Sequence, residues 1–238
     1  MGLSNEKHSA RENRLLGALP REEYQRLTPH LEPVRLPQGK IIYHTGDRVR
    51  YAYFLRGGMV SLLSTSGDGR SIEVGVIGDE GVVGLPAILG ANGSPYQIMA
   101  QLPTGAVRIR GDVLKSEFIR GGVLQDLLLR YLHALIAQIA QAAACNRFHG
   151  PEERLCRWLL LTQDRVRVDT LHLTQEFLSN MLGIPRTSVT VLASGLRKRG
   201  IIEYRRGKVT VLDRRYLEAA SCECYKYLRE QFSGSLAA

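Results

Sequence analysis

The stretch Leu173-Thr174-Gln175-Glu176-Phe177-Leu178-Ser179-Asn180-Met181-Leu182-Gly183-Ile184-Pro185-Arg186-Thr187-Ser188-Val189-Thr190-Val191-Leu192 has the grammar of a helix-turn-helix. Thr174 is placed to N-cap a first helix whose Phe177, Leu178, Met181 and Leu182 face inward. Gly183 supplies the left-handed turn residue, and Ile184 plugs the junction between the helices. Pro185 opens the second helix, where its missing N–H costs nothing. Val189 and Leu192 anchor that helix, while Arg186, Thr187 and Thr190 point outward with Ser188 beside them. An exposed helix start carrying an arginine and hydroxyls is suited to reading base edges in a DNA major groove.

The next residues extend the pattern. Arg197-Lys198-Arg199-Gly200 closes the helix, and Ile201 to Leu212 reads as a hairpin turning at Arg206-Gly207. Its tip carries Arg205, Arg206 and Lys208, as the wing of a winged helix does, and wing cations commonly meet phosphate. From Arg186 to Arg215 there are nine basic residues against Glu203 and Asp213, a net of +7 within a chain whose total is +9. The basicity is thus concentrated where a polyanion would dock.

Working toward the N-terminus, residues 33–110 are rich in short alternating runs. These include Lys40–Tyr43, Ala52–Leu55, Met59–Leu63 and Ser71–Val76, separated by Thr45-Gly46-Asp47, Arg56-Gly57-Gly58 and Ser66-Gly67-Asp68-Gly69. Many short strands with such turns predict an antiparallel roll of jelly-roll type, with a hairpin at Asp68-Gly69. From Asp112 to Arg147 the period changes to that of one long helix uninterrupted by proline. Leu124, Leu128, Tyr131, Leu135, Gln138 and Ala142 recur in steps of four and three, a heptad-like seam, with Leu132, Ile136 and Ile139 as a second stripe. Two stripes predict a partner beyond the chain's own fold, and a second copy is the simplest. His149-Gly150-Pro151 ends that helix and marks a domain boundary. The expected organisation is α+β: a polar tail over residues 1–18, a roll over 19–111, a dimerisation helix over 112–149, and a winged helix-turn-helix with a C-terminal helix over 150–238.

Other classes are poorly served. No apolar run reaches the roughly 18 residues of a membrane span, and the polar start has no signal-peptide core, so a cytoplasmic protein without membrane attachment is expected. No Walker A, G-x-S-x-G, H-E-x-x-H or dinucleotide fingerprint is present, so no enzyme is expected, and no clustered His/Glu metal set of cupin type occurs in the roll. Cys145, Cys156, Cys222 and Cys224 form no C-x-x-C pair. Cys222 and Cys224 would suit a redox pair or half a metal site, but no His or Cys lies near them in sequence. They read as small side chains on a helix, and no metal is assigned.

With these modules in order, the chain resembles the CRP/FNR transcription regulators from about residue 19 to 215. The roll pattern is carried by Tyr43-His44-Thr45-Gly46-Asp47, Tyr53-Phe54-Leu55-Arg56-Gly57-Gly58-Met59-Val60 and Gly81-Val82-Val83-Gly84. The resemblance implies a homodimer on a pseudo-palindromic double-stranded DNA site, with RNA polymerase as a further candidate partner. It places Arg186 on the recognition-helix arginine that contacts a guanine. Thr187 stands where several members have an acidic base-reading residue, and Val191 where some have a second arginine. Thr174, Arg186, Thr187, Ser188, Thr190, Arg205, Arg206 and Lys208 form the expected DNA-contacting set.

The family's cyclic-nucleotide binders hold the phosphate with a glutamate just after a glycine and with an Arg-Ser or Arg-Thr pair. Here Gly84 is followed by Leu85-Pro86-Ala87, and Asn92-Gly93-Ser94-Pro95-Tyr96-Gln97 stands where the pair belongs. Cyclic AMP is therefore disfavoured, since its phosphate would lack a charge-assisted bond. The N-terminal cysteines of the iron–sulfur branch are absent, so no such cluster is expected, and His44 and His133 read as structural rather than haem ligands. The expected effector pocket is a mostly apolar wall of Val83, Gly84, Leu85, Ser94, Tyr96 and Gln97 facing Leu135 and Gln138, which leaves two readings open, an apolar or mixed small molecule of unknown identity as its ligand or no ligand at all. A sensor acting through protein contacts rather than DNA is the alternative reading.

Overall fold

The computed structural model describes residues 9–91, 93–166 and 168–235. Asn92 of the expected effector loop and the first eight residues of the expected tail lie outside them. In chain order the elements are helices α1 (Arg14–Gly17) and α2 (Arg21–Leu27), then strands β1 (Glu32–Leu36), β2 (Ile41–Tyr43), β3 (Tyr51–Leu55), β4 (Met59–Thr65), β5 (Ser71–Ile77) and β6 (Val82–Val83). Helix α3 (Pro86–Leu89), strands β7 (Gln97–Leu102) and β8 (Thr104–Arg110), and helices α4 (Gly111–Arg120), α5 (Val123–Phe148) and α6 (Pro151–Val166) follow. Strand β9 (Thr170–His172), helices α7 (Gln175–Leu182) and α8 (Arg186–Lys198), strands β10 (Ile202–Arg205) and β11 (Lys208–Val211), and helices α9 (Arg214–Ala219) and α10 (Cys224–Ser235) complete the fold.

The roll consists of two four-stranded sheets, ordered β1-β8-β3-β6 and β2-β7-β4-β5. Every strand pair in the first sheet is antiparallel, and alternation along β3 and β8 buries Ala52, Phe54, Val107 and Ile109. The predicted hairpin closes through the Ser66 N–H donating to the Arg70 carbonyl at 2.9 Å. A three-stranded sheet, ordered β10-β11-β9, belongs to the C-terminal half. By packing, the described residues divide into two units: residues 9–62 with Gly75–Ala137 and residues 231–235, and Leu63–Val74 with Gln138–Glu230.

Three expectations change here. Residues 9–18 are not a solvated tail, because Leu15 and Leu16 are buried and Asn13 is fully enclosed. The Asn13 amide donates to the carbonyls of Leu55, Asp79 and Gly81 at 3.0, 3.0 and 2.8 Å, while its Oδ1 accepts from Leu16 N–H. One side chain thus bonds the buried carbonyls of Leu55 and Gly81, and adds to the bond that the Asp79 carbonyl already accepts from the Arg14 N–H at 2.8 Å.

The expected single long helix is two helices. Gly121 and Gly122 take φ of 84° and 91°, which breaks the ladder between α4 and α5. The restart is capped by Glu23, whose carboxylate accepts the Val123 and Leu124 N–H groups at 3.0 and 2.8 Å, where a helix N-terminus favours negative charge. Helix α5 is also long and apolar enough on average to cross a bilayer, although polar residues interrupt every apolar run within it. Part of it is packed inside the chain.

The third correction concerns its faces. The seam predicted to meet a second copy is buried in the chain's own fold: Leu124, Leu128, Tyr131, Leu135, Gln138 and Ala142 are all at most 7% exposed. Leu129 and Ile136, by contrast, are 47% and 58% exposed. His133, Ala140 and Ala143 lie at four- and three-residue steps from them and are exposed as well. The outward face is therefore the neighbouring stripe, one position along the helix.

Candidate nucleic-acid interface and sensor site

The local signals of the helix-turn-helix appear as the sequence predicts. Thr174 caps α7, its hydroxyl accepting the Phe177 N–H at 3.1 Å. Gly183 ends α7 in the left-handed conformation, φ 63°, with its N–H on the Ser179 carbonyl. The Ser179 hydroxyl donates to the Ile184 carbonyl at 2.6 Å and so ties the turn to α7. Pro185 is the N-cap of α8 rather than a residue within it, which puts Arg186 at the first helical position.

Val189, Ala193 and Leu196 bury one face of α8, and Leu192 is only half-buried. Arg186, Thr187, Thr190 and Val191 are exposed on the opposite side, and Ser188 is half-buried between the faces. The Thr190 hydroxyl donates to the Arg186 carbonyl at 3.1 Å, which leaves its oxygen free to accept from a base. Val191, 71% exposed, is a large apolar side chain held in water on a face otherwise polar. Sequence reasoning treats it only as a missing arginine. Its signal is one more apolar residue than the buried stripe needs.

The wing is a two-residue hairpin in which Arg205 pairs with Lys208. Arg206 and Gly207 take φ of 51° and 74°, both positive, as a turn of the primed class requires. Arg206 is the single positive-φ residue other than glycine among the described residues. Arg205, Arg206 and Lys208 are all exposed. The third strand, β9, pairs with β11, and the Leu173 N–H reaches the Gly207 carbonyl at 2.8 Å, so the wing tip adjoins the start of α7. The Tyr204 hydroxyl donates to the Leu173 carbonyl at 3.0 Å. Burial raises its pKa, and the charge of Arg186 opposes that rise, an electrostatic link between the wing and the start of α8.

The basic run thus splits into two populations. Arg214 is a structural node bonded to Asp164, Glu218, Gln163 and Tyr225, and Arg199 pairs with Glu152 at 2.6 Å. The cations at the wing tip and at the start of α8 remain exposed.

The expected effector wall is core rather than cavity. Val83, Leu85, Ser94 and Leu135 are buried, as is Gln138, while Tyr96 and Gln97 are half-exposed. Gly84 packs so closely on β3 that a methyl group there would stand 2.6 Å from the Tyr51 carbonyl oxygen. The Ser94 hydroxyl closes its own loop by donating to the Tyr96 carbonyl at 2.7 Å. An open cleft of about 840 Å³ lies instead against Arg48, Arg50, Tyr51, Arg110, Asp112 and Lys115, and none of the eight expected residues lines it. Within it Arg110 and Asp112 form an ion pair at 2.5 Å, and the arginine holds the carboxyl pKa down at about 2. A further polar group lies inside the roll: Gln101 is fully buried, and neither end of its amide is paired within the described residues.

Family comparison agrees with this arrangement. Residues 33–120 match the cyclic nucleotide-binding domain, and residues 153–220 match the Crp-like helix-turn-helix domain. The chain is a regulator of the CRP/FNR family. It is 26% identical over 184 residues to a global nitrogen regulator of Nostoc sp., covering 73% of this chain and 82% of that protein. The corresponding regulator of Synechococcus elongatus is 24% identical over 193 residues, covering 77% of this chain and 86% of the relative. The fold is shared with FixK2 from Bradyrhizobium japonicum at a TM-score of 0.69 and 16% identity, over 81% of this chain and 98% of FixK2. A CRP-family transcriptional regulator from Thermus thermophilus matches at 0.67 and 21% identity, over 79% of this chain and 96% of that one. Like its family, this CRP/FNR protein is a DNA-binding transcriptional regulator and not an enzyme.

Proposed function

We propose that the protein is a cytoplasmic homodimer that reads a pseudo-palindromic DNA site, each protomer placing the start of α8 in a major groove. The observation that carries this reading is the outward row Arg186, Thr187, Thr190 and Val191 on a helix whose other face is buried, beside a wing tip with three exposed cations. Arg186 offers a bidentate donor pair for guanine, the threonines offer hydroxyls, and Val191 offers an apolar surface for a thymine methyl. Arg205, Arg206 and Lys208 neutralise phosphates and carry no sequence information.

Two-fold symmetry sets the half-sites about one helical turn, roughly 34–36 Å, apart. The second copy packs on the outward stripe of α5 around Leu129 and Ile136, where two large apolar side chains otherwise face water. A small molecule in the roll tunes the dimer, and cyclic AMP is not that molecule. No carboxylate follows Gly84, whose surroundings are filled by β3, and an effector shifts the equilibrium only through different affinities for the two states. Contact with RNA polymerase follows from the regulatory role.

Footprinting of the purified protein tests the reading, with protection expected over two symmetric half-sites. Protection of a single asymmetric half-site refutes the dimeric docking. Binding to random duplex that does not weaken as salt rises refutes the DNA role and favours a protein partner. Calorimetry with cyclic AMP decides the effector: micromolar binding accompanied by tighter DNA binding would overturn its exclusion.

A further inference from the structure

Three of the four cysteines converge although the chain separates them widely. Cys145 lies in the last turns of α5, His149 just beyond its end, Cys222 in the loop before α10, and Cys224 at the first position of α10. Cys222 and Cys224 are therefore not the helix-borne pair expected from sequence. The three sulfurs and a ring nitrogen of His149 all lie within 4.8 Å of one another. Cys145 Sγ and Cys222 Sγ are 3.6 Å apart, and Cys224 Sγ is 3.4 Å from His149 Nδ1. The three cysteines are at most 3% exposed.

We propose that these four side chains bind one zinc ion as a closed Cys3His site. In a tetrahedral site with Zn–S near 2.3 Å and Zn–N near 2.0–2.1 Å, the sulfur–sulfur edges are about 3.8 Å and the sulfur–nitrogen edges about 3.5 Å. The two measured edges match these within a few tenths of an ångström. A 4Fe–4S cluster places each thiolate on a different iron and a 2Fe–2S cluster divides its four ligands between two irons, so either needs a wider spread than four atoms within 4.8 Å of one another. Four protein ligands leave no open position, so the site is structural rather than catalytic.

The surroundings support the ligands. With Nδ1 turned to the sulfurs, His149 places Nε2 3.0 Å from Glu223 Oε1, the carboxylate–histidine arrangement that orients a metal-bound imidazole. Gln141 Nε2 donates to Cys224 Sγ at 3.0 Å, a contact that favours the thiolate. Three thiolates, a neutral imidazole and Zn²⁺ carry a net charge of −1. The buried Arg157, its Nε unpaired within the described residues, lies close enough to Cys145 and Cys222 for its charge to act on both. A buried cation needs such a counter-charge. The ion joins the end of α5 and the residue just beyond it to the start of α10. Cys156, the fourth cysteine, takes no part.

The test begins with the unaltered full-length protein, purified under reducing conditions without chelator. Elemental analysis should find about one zinc per chain, with three thiols shielded from a thiol reagent until a mercurial displaces the metal. Cobalt-substituted protein should show the absorption of tetrahedral, thiolate-bound Co²⁺. Glu223 is 78% exposed, so Glu223→Gln should fold normally while weakening zinc retention about 10–100-fold against a chelator. Cys156→Ala should keep the metal. Zinc below a tenth of an equivalent, with the thiols freely reactive or Cys145 and Cys222 recovered as a disulfide, overturns the proposal. So does a Glu223→Gln protein that holds zinc as tightly as the unaltered one.

Discussion

Substituting Lys208 and Arg186 in separate proteins discriminates the two roles assigned to the DNA-facing cations. If Arg205, Arg206 and Lys208 each cover one phosphate, the dimer makes six such contacts. The slope of log affinity against log salt is then about −0.9 per contact, or about −5, and affinity falls about 10³-fold between roughly 50 and 200 mM salt. Lys208→Ala removes two of the six contacts and should flatten the slope by about 2, alike on the operator and on random duplex. Arg186→Ala should leave the slope nearly unchanged and cost about 1–3 kcal/mol in each half-site on the operator alone. Both side chains are exposed, so the stability of either variant should stay within about 0.5 kcal/mol. Fluorescence anisotropy over a salt series with both duplexes reads the affinities and slopes. Should the two variants lose the same affinity on both duplexes and share one slope, the division into base reader and phosphate neutraliser is wrong.

Sedimentation should separate the two stripes of α5. Ile136→Asp should yield a folded monomer, whereas Leu128→Asp should unfold the chain by burying a charge, and a dimeric Ile136→Asp protein would move the interface elsewhere. Asn13→Ala removes the amide's bonds to the buried carbonyls of Leu55 and Gly81, while Asp79 keeps its bond from the Arg14 N–H, and should cost about 2–4 kcal/mol in urea unfolding; a loss below about 0.5 kcal/mol would show that water replaces the amide. Burial pushes the Tyr43 hydroxyl pKa up to about 12, so the folded state keeps a proton that the unfolded chain releases near pH 10. Stability from this group is complete below that pH and is lost as the pH rises toward 12; Tyr43→Phe should flatten the alkaline limb, and an unchanged limb would assign it to another group.

What can be read from the sequence is local. Thr174 and Gly183 act through bonds to residues three or four positions away, so their roles survive without knowledge of the rest of the fold. The register of α5 cannot be read in this way, because both stripes carry apolar residues at heptad spacing. Only the roll decides that Leu128 turns inward and Ile136 outward. Asn13 looks like one more polar residue in a polar run, and its burial depends on carbonyls 42 to 68 positions along the chain. Cys145 and Cys222 are separated by 77 positions, so no spacing rule could join them. The effector wall fails for a related reason: apolar residues that would suit a ligand suit a packed core equally well.

The two-residue wing turn makes the length of the wing discrete. Arg205 and Lys208 are direct partners across the ladder, so their side chains share a face. Facing alternates with every residue along a strand, so a single inserted residue at the turn would shift the register and turn one cation to the opposite face of the wing. Adding one residue to each strand instead preserves the Arg206-Gly207 turn but carries its cations to the next position, on the opposite face. Only two residues per strand restore the same presentation, roughly 7 Å farther out. A wing of this kind can be tuned continuously by exchanging Arg, Lys and neutral residues at its tip, but it can be lengthened only in whole periods of the pleat.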